Sequence, residues 1–329
     1  MMPKLRTAII GLGMMGTNHA RVLSNLEGVE LIAVADPQGY AQKVLPQVKV
    51  LNSVDEVIKL GVDYCVISAP TAFHEEIALQ LITQGIHFLV EKPIADTYAS
   101  AVKIRDTAKS AKVIGAVGHI ERFNSALQEA RKRVLAGELG TIYQVATRRQ
   151  GPFPSRISDV GVVKDLATHD IDLTSWITGK KYLQVSANAA FRSGREHEDL
   201  ISVSGLLEDS IVVSHLVNWL SPLKERKIIV TGEKGTFVAD TLRADLTFYE
   251  NGKIEISQSE LAHFRGVTQG DVHILAFEKP EPLIVEHQNF RDAVLGKPSN
   301  IVSLEEGTTT VKIADAIIES YTNKSLVKL

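Results

Sequence analysis

Hydrophobic and polar positions follow two different rhythms along the chain. Up to about residue 120, short apolar runs alternate with segments of helical periodicity. The run "LRTAII" (residues 5–10) predicts a strand, "TNHARVLSNLEG" a helix ending at Gly28, and "VELIAVAD" a second strand. "SVDEVIKLG" pairs Ser53 with Glu56 as a capping box and stops at Gly61, ahead of the buried run "VDYCVISAP". "TAFHEEIALQLITQG" is amphipathic and closes on Gly85, "IHFLVEKP" is a strand that stops at Pro93, and "DTYASAVKIRDTAKSA" and "KVIGAVGH" add a helix and a strand. Strand and helix in repeated alternation predict an α/β, doubly wound parallel sheet, whose ligand crevice lies outside the carboxyl ends of its strands.

The rhythm then changes. After a glycine-stopped helix, "NSALQEARKRVLAGELG", the chain reads as strands: "TIYQVATRRQ", "LQVSANAAF", "DLISVSGLL", "SIVVSHLVNWL", "ERKIIVTG", "GTFVAD" and "DLTFYENG". The connections "LEDS", "GEKG" and "ENGK" suit hairpins, so an α+β domain with a large, open, mostly antiparallel sheet is expected. A helix at 165–178 and two more near the C terminus would cover one face. The other face then needs a second subunit, which implies a homodimer or homotetramer assembled through this sheet. The domains are expected at 1–120 and 121–329.

A chain of 329 residues, 44% hydrophobic and 23% charged, is a globular protein too long for one ordinary core. The formal net charge of -3 supplies no reason to expect nucleic acid or an anionic membrane as a partner, so a small-molecule substrate is favoured. Cys65 is the single cysteine, so no intrachain disulfide can form, and a cytoplasmic location is expected. The start "MMPKLRTAIIGLG" has no long apolar segment with a small-residue cleavage site, and no stretch approaches a membrane span; neither export nor insertion is expected.

The chemistry begins at "GLGMMG", residues 11–16, set between a strand and a helix. In a Rossmann site the first glycine, Gly11, permits the tight turn, Gly13 lets the backbone approach a pyrophosphate, and Gly16 lets helix pack on strand. Leu12, Met14 and Met15 complete the loop. Asp36, about twenty residues further on at the end of the second strand, can accept both adenosine ribose hydroxyls and would repel a 2′-phosphate. No basic residue follows at once in "DPQGYAQ", so NAD is expected in preference to NADP. The other strand ends facing the crevice are Ser68, Ala69 and Pro70, then Glu91, Lys92 and Pro93, then His119.

Three further groups could act chemically, each with a plainer alternative. In "KDLATHDIDL", Asp165, His169 and Asp172 share one helical stripe while Asp170 points elsewhere. A carboxylate beside a histidine orients it and suits it to proton transfer, although a solvated face with an ion pair has the same spacing. As a zinc site the set is thin, and no metal is expected. Lys92 could stabilise an alkoxide or shuttle a proton, or simply end a strand at the surface. His119, Arg122, Asn124, Arg148, Arg149 and Arg156 form a basic cluster suited to an anionic substrate such as a sugar nucleotide, or to interdomain salt bridges.

"GLGMMG", "APTAFH", "EKP" and the D-x-x-x-H-x-x-D of "DLATHDID" resemble, in order and spacing and over essentially the whole chain, the Gfo/Idh/MocA oxidoreductases. With the strand ends Ser68, Pro70, Glu91 and Lys92, the resemblance places Thr71 and His74, in "APTAFH", in the cofactor-binding set. It implies that Lys92, Asp165 and His169 contact the reacting hydroxyl, with His169 the proton acceptor and Asp165 orienting it, while Asp172 is structural or touches substrate. "GHIERFN" with "RRQGPFPSRISDVGVVKDLATHDID" looks like the branch of UDP-N-acetylglucosamine 3-dehydrogenases, implying NAD-dependent oxidation of a sugar hydroxyl at carbon three. Many members have a glycine run where this chain has "GVVK", a departure beside the substrate. An inositol, free-sugar or sugar-phosphate dehydrogenase would share the same catalytic residues; a nicotinamide-binding sensor without turnover would have no use for them.

Overall fold

The computed structural model describes residues 4–37, 48–154, 160–252 and 268–329. The chain divides into two compact units, Met1–Phe123 with Pro280–Asp315, and Asn124–Lys279 with Ala316–Leu329.

The first unit is built on a six-stranded parallel sheet of β1 (Leu5–Ile10), β2 (Val29–Ala35), β3 (Lys49–Leu51), β4 (Tyr64–Ile67), β5 (His87–Glu91) and β6 (Gly115–Gly118), in the order β3-β2-β1-β4-β5-β6. Its strands read as unbroken apolar runs because both faces are covered. Ile9, Tyr64, Val66 and Leu89 pack on one side, and Ala8, Ile10, Cys65, Ile67, Phe88 and Val90 on the other. The expected capping box forms with a change of partner: Ser53 Oγ accepts from Glu56 N–H at 3.3 Å, while Glu56 reaches back to the Asn52 N–H at 2.8 Å. The strand order reverses between β1 and β4, so Gly11 and Ser68 follow the two strands that flank the switch point.

The segment Pro280–Asp315 corrects the expectation that both C-terminal helices cover the second sheet. The helix Pro282–Val294 buries Leu283, Glu286, His287 and Phe290, a helical stripe whose Phe290 ring lies edge-on to Tyr64 at 5.3 Å. In the helix Leu304–Asn323, Gly307 approaches Val117 so closely that a Cβ would meet its Cγ2 at 2.5 Å. Helical periodicity shows which face is apolar but not which sheet it meets, and chain order pointed to the wrong one for residues 280–315; from Ala316 on the last helix belongs to the second unit, as expected, with Ser320 Oγ accepting Ala187 N–H at 2.9 Å.

The second unit holds a nine-stranded sheet of β7 (Ile142–Pro152), β8 (Tyr182–Ala190), β9 (Leu200–Leu207), β10 (Val212–Asn218), β11 (Leu220–Gly232), β12 (Gly235–Asp240), β13 (Asp245–Gly252), β14 (Thr268–Leu275) and β15 (Val327–Lys328). It is antiparallel except for the β7–β10 pair. Side chains alternate cleanly along β7: Val145, Thr147 and Arg149 are buried, while Gln144 and Arg148 are exposed. "LEDS" and "GEKG" turn the β9–β10 and β11–β12 hairpins, whereas residues 253–267, which begin at the lysine of "ENGK" and lead to β14, lie outside the described residues. Among the described residues, no helix is long and apolar enough to cross a membrane.

The buried face of this sheet contains a histidine. His215 is fully buried, its Nδ1 2.7 Å from Thr147 Oγ1 and its Nε2 2.8 Å from the Tyr182 hydroxyl. Burial, with a smaller contribution from the Arg149 charge, pushes its pKa down to about 3, so the folded ring is neutral. With the folded pKa depressed, this group contributes stability that is present above its unfolded value near 6.5 and lost as pH falls towards about 3. Urea unfolding should therefore show His215→Gln less stable than wild type at pH 7 but with a flatter acid limb, by roughly 1.4 kcal/mol per pH unit between those limits; parallel limbs would contradict it.

Candidate active site

The glycine loop is shaped by contacts that leave no room for side chains. Gly11 has φ +92°, and a Cβ there would lie 2.5 Å from Ala69 N. A Cβ on Gly16 would lie 2.1 Å from Gly11 O. Ser68 Oγ donates to Gly11 O at 2.6 Å, and Leu12 N–H donates to Asp36 Oδ2 at 2.7 Å. Asp36 thus braces the loop through one oxygen, in addition to the ribose-binding role expected from its position. Gly13 is different: a Cβ there would meet nothing within 4 Å. It caps the helix Met14–Leu23 without a side-chain hydrogen bond, so backbone amides of the first turn remain for a phosphate. These residues fit a dinucleotide pyrophosphate.

The neighbouring strand ends are rigidly tied. His74, buried, places Nδ1 3.0 Å from Pro93 O and Nε2 2.9 Å from Ala69 O, bridging the segments after β4 and β5. Burial outweighs these carbonyls and holds its pKa below the ordinary value, so the neutral ring donates to one carbonyl at a time. Its contribution to a cofactor would be through placement of these segments. Pro70 and Thr71 begin the short turn Thr71–Phe73 between them. Lys92 follows β5 directly and is half-buried, and its own N–H donates to Glu91 Oε2 at 3.2 Å. His119 is buried just after β6.

In the second unit, the stripe is not a solvated face: His169 and Asp172 are 8% and 3% exposed, and Asp165 is half-buried. The expected single helix begins with a π-helical turn, Val163–Ala167, and becomes α-helical over Thr168–Thr178. Thr168 N–H reaches Val163 O, five residues back. Such wide turns are frequent at functional sites. Asp165 lies in this turn and His169 in the first turn beyond it, so the two are not on one uniform α-helix as their spacing implied. Glu198 secures the start of the turn: its Oε1 accepts Val163 N–H at 2.9 Å, and its backbone oxygen accepts Val162 N–H at 3.1 Å. Gly161 lets this happen, since a Cβ there would lie 2.1 Å from Glu198 Oε1.

The basic cluster is distributed over separate contacts. Arg149 and Arg148 point to opposite faces of β7. Arg149 Nε donates to Asp170 Oδ1 at 3.1 Å with both side chains almost wholly buried, whereas Arg148 is exposed, 3.5 Å from Glu225. In the first unit, Arg122 Nη1 donates to Glu306 Oε1 at 2.5 Å. Asn124 caps the helix Ser125–Leu135 through Ala126 N–H and donates to Thr241 O at 3.0 Å. Arg156 lies outside the described residues. Among the described residues, Glu250, Asp271 and His273 could bring three ligand atoms together, but all are exposed on the β13–β14 hairpin, where such groups commonly have no ion.

Residues that spacing did not single out include His19, Glu198, Glu286 and His287. His19 was within reach, three residues after Gly16 on the buried face of the first helix; the others depend on contacts far apart in sequence.

A glycine loop between strand and helix at the switch point of a parallel sheet defines a dinucleotide-binding Rossmann unit, followed in this chain by a second unit with a mainly antiparallel sheet. This chain belongs to the Gfo/Idh/MocA family: the family's NAD-binding Rossmann-fold domain matches residues 5–119 and its C-terminal domain residues 127–238. It is 28% identical to scyllo-inositol 2-dehydrogenase (NAD(+)) of Bacillus subtilis, over 56% of this chain and 57% of that protein. It is 32% identical to UDP-N-acetylglucosamine 3-dehydrogenase of Acidithiobacillus ferrooxidans, over 56% of this chain and 57% of that protein. These matches thus span little more than half the length of either relative. The WlbA dehydrogenase of Bordetella pertussis, solved with NADH and UDP-GlcNAcA, shares the fold with a TM-score of 0.82 at 22% identity, covering 99% of both chains.

The glycine geometry separates cofactor binding from folding. Gly16→Ala should lower both thermal stability and NADH affinity, because its Cβ strikes backbone. Gly13→Ala should leave the melting temperature unchanged while weakening NADH binding in a fluorescence titration; undiminished binding would remove the pyrophosphate from this loop.

Proposed function

We propose that the chain is an NAD-dependent dehydrogenase oxidising a secondary hydroxyl of a sugar, with a sugar nucleotide such as UDP-N-acetylglucosamine, at carbon three, as the substrate. His169 accepts the hydroxyl proton, Asp165 orients it, and Lys92 stabilises the oxygen as its charge develops. NAD, when bound, takes the hydride from the carbinol carbon. The observation supporting this reading most directly is the presence of all three residues in the family's order, with His169 buried on a helix whose start is anchored by Glu198. Arg122 and Arg149 already sit in internal ion pairs, so the sugar-nucleotide choice rests on the 32% identical relative rather than on the basic cluster. The 28% identity to an inositol dehydrogenase favours a cyclic polyol as the second reading.

Purified protein with NAD, screened against UDP-N-acetylglucosamine, sugar phosphates and polyols by nicotinamide absorbance, should reduce NAD with the sugar nucleotide; equal rates on inositol would overturn that choice. Lys92→Ala and His169→Ala should each lower kcat by about 10²- to 10⁴-fold while retaining NADH affinity. Full turnover in the double variant would sink the assignment.

We also propose that a second copy of the chain covers the outer face of the nine-stranded sheet, where Val212, Tyr249, Val272 and Ile274 are exposed, Ile274 by 82%. Light scattering should give a dimer or tetramer, and a monomer at micromolar concentration would refute it.

A further inference from the structure

Behind Lys92 lies a buried chain of ionisable groups that the proposed reaction does not use. His19, on the helix that follows the glycine loop, is wholly buried; its Nε2 lies 2.8 Å from Glu91 Oε1 and its Nδ1 2.8 Å from His287 Nε2. The other Glu91 oxygen, Oε2, accepts the backbone N–H of Lys92 at 3.2 Å. Glu91 pairs in register with Gly118 on β6, and a Cβ at Gly118 would lie 3.2 Å from the Glu91 Cδ. The missing side chain is what lets the carboxylate fold back over β6 towards His19.

The network has a defined charge. Burial pushes the Glu91 carboxyl up, but the His19 hydrogen bond, the His19 charge and nearby Lys92 more than offset it, holding the pKa below the ordinary carboxylate range. As an ionised acceptor, Glu91 takes the proton-bearing Nε2 of His19. His287 is held neutral by burial and by His19, and Glu286 beside it is held protonated by burial and by the Glu91 charge. The Glu91 carboxylate therefore stays ionised close to two groups, His287 and Glu286, that are held neutral, and its two oxygens hold the cofactor-loop helix and the peptide that bears Lys92.

We infer that His19 and Glu91 are positioning residues for Lys92, clamping the strand end from which the lysine projects to the helix that follows the glycine loop. Replacement of His19 by leucine leaves Glu91 buried without its partner, which forces the carboxylate to move or take up a proton. Movement breaks the Oε2 contact to the Lys92 N–H, and protonation weakens it by removing the charge on the acceptor. A displacement of about 1 Å at a reacting group can cost on the order of 10²-fold in rate. Glutamine at this position can return an N–H near the place of Nε2, so it restores the bond without the ring.

This inference rests on the dehydrogenase reading for its role, and the test separates the two. His19→Leu, His19→Gln and Glu91→Gln are compared with wild type for melting temperature, NADH affinity, kcat and KM on the hydroxyl substrate that wild type oxidises. The expected result is a kcat loss of about 10²-fold in His19→Leu and a smaller loss in Glu91→Gln, with NADH affinity lowered far less than kcat, KM unchanged and kcat recovered in His19→Gln. Glu91→Gln keeps the packed shape and so remains informative if His19→Leu does not fold. Unchanged kcat in both, or a loss confined to NADH affinity, would overturn the inference. If wild type oxidises no sugar or polyol, the functional reading fails. The clamp is then decided by the acylation rate of Lys92 in a competitive N-hydroxysuccinimide ester labelling, read by mass spectrometry. A rate changed in His19→Leu and restored in His19→Gln supports it, and equal rates in all proteins overturn it.

Discussion

The close approach of the first glycine to the backbone after β4 is the constraint on which the rest of the first unit depends. With a Cβ at Gly11 only 2.5 Å from Ala69 N, no L-side chain can occupy that turn, and φ +92° excludes one independently. This contact brings the end of β1 against the end of β4 at the place where the sheet reverses its order. The Ser68 and Asp36 hydrogen bonds then lock a loop that is already confined. The direction of the following helix follows from that turn, and with it the burial of His19 against Glu91.

Much of the fold was legible because it rests on local patterns. Five of the six parallel strands, their glycine stops, the Ser53 cap and the mainly antiparallel second sheet follow from periods of two and 3.6 and from turn chemistry; the edge strand β3, three residues long, is too short to show a period. The destination of residues 280–315 was not legible, because Phe290 and Gly307 look the same in sequence whichever sheet they meet. The site was legible to a similar depth. Glycine loop, Lys92 and the aspartate–histidine spacing were visible, while the π-helical turn was not: it arises where Glu198, far along the chain, takes the Val163 N–H. The two adjacent arginines show the limit well. Their charge is plain in the sequence, but on a strand neighbours face opposite ways, so one became a buried partner of Asp170 and the other an exposed partner of Glu225.

Both units place polar groups deep inside and satisfy most of them by pairing across elements. His215 between Thr147 and Tyr182, Arg149 with Asp170, and Glu91 with His19 each join segments far apart in the chain. A broken pair leaves a buried donor or acceptor at a cost of about 1–3 kcal/mol, more for a charge, so these contacts favour one arrangement over near alternatives.

The return of Pro280–Asp315 to the first unit has a consequence for the order in which the molecule can be made. A ribosome emits the six parallel strands early, yet the side of the sheet carrying Tyr64 has no Phe290 to cover it, and His19 has no His287, until the second sheet has been synthesised. Domains completed by contiguous sequence can fold as they emerge. Here the unit that holds the six parallel strands finishes its core after the intervening one, and fragments ending before residue 280 would expose apolar surface that residues 280–315 cover.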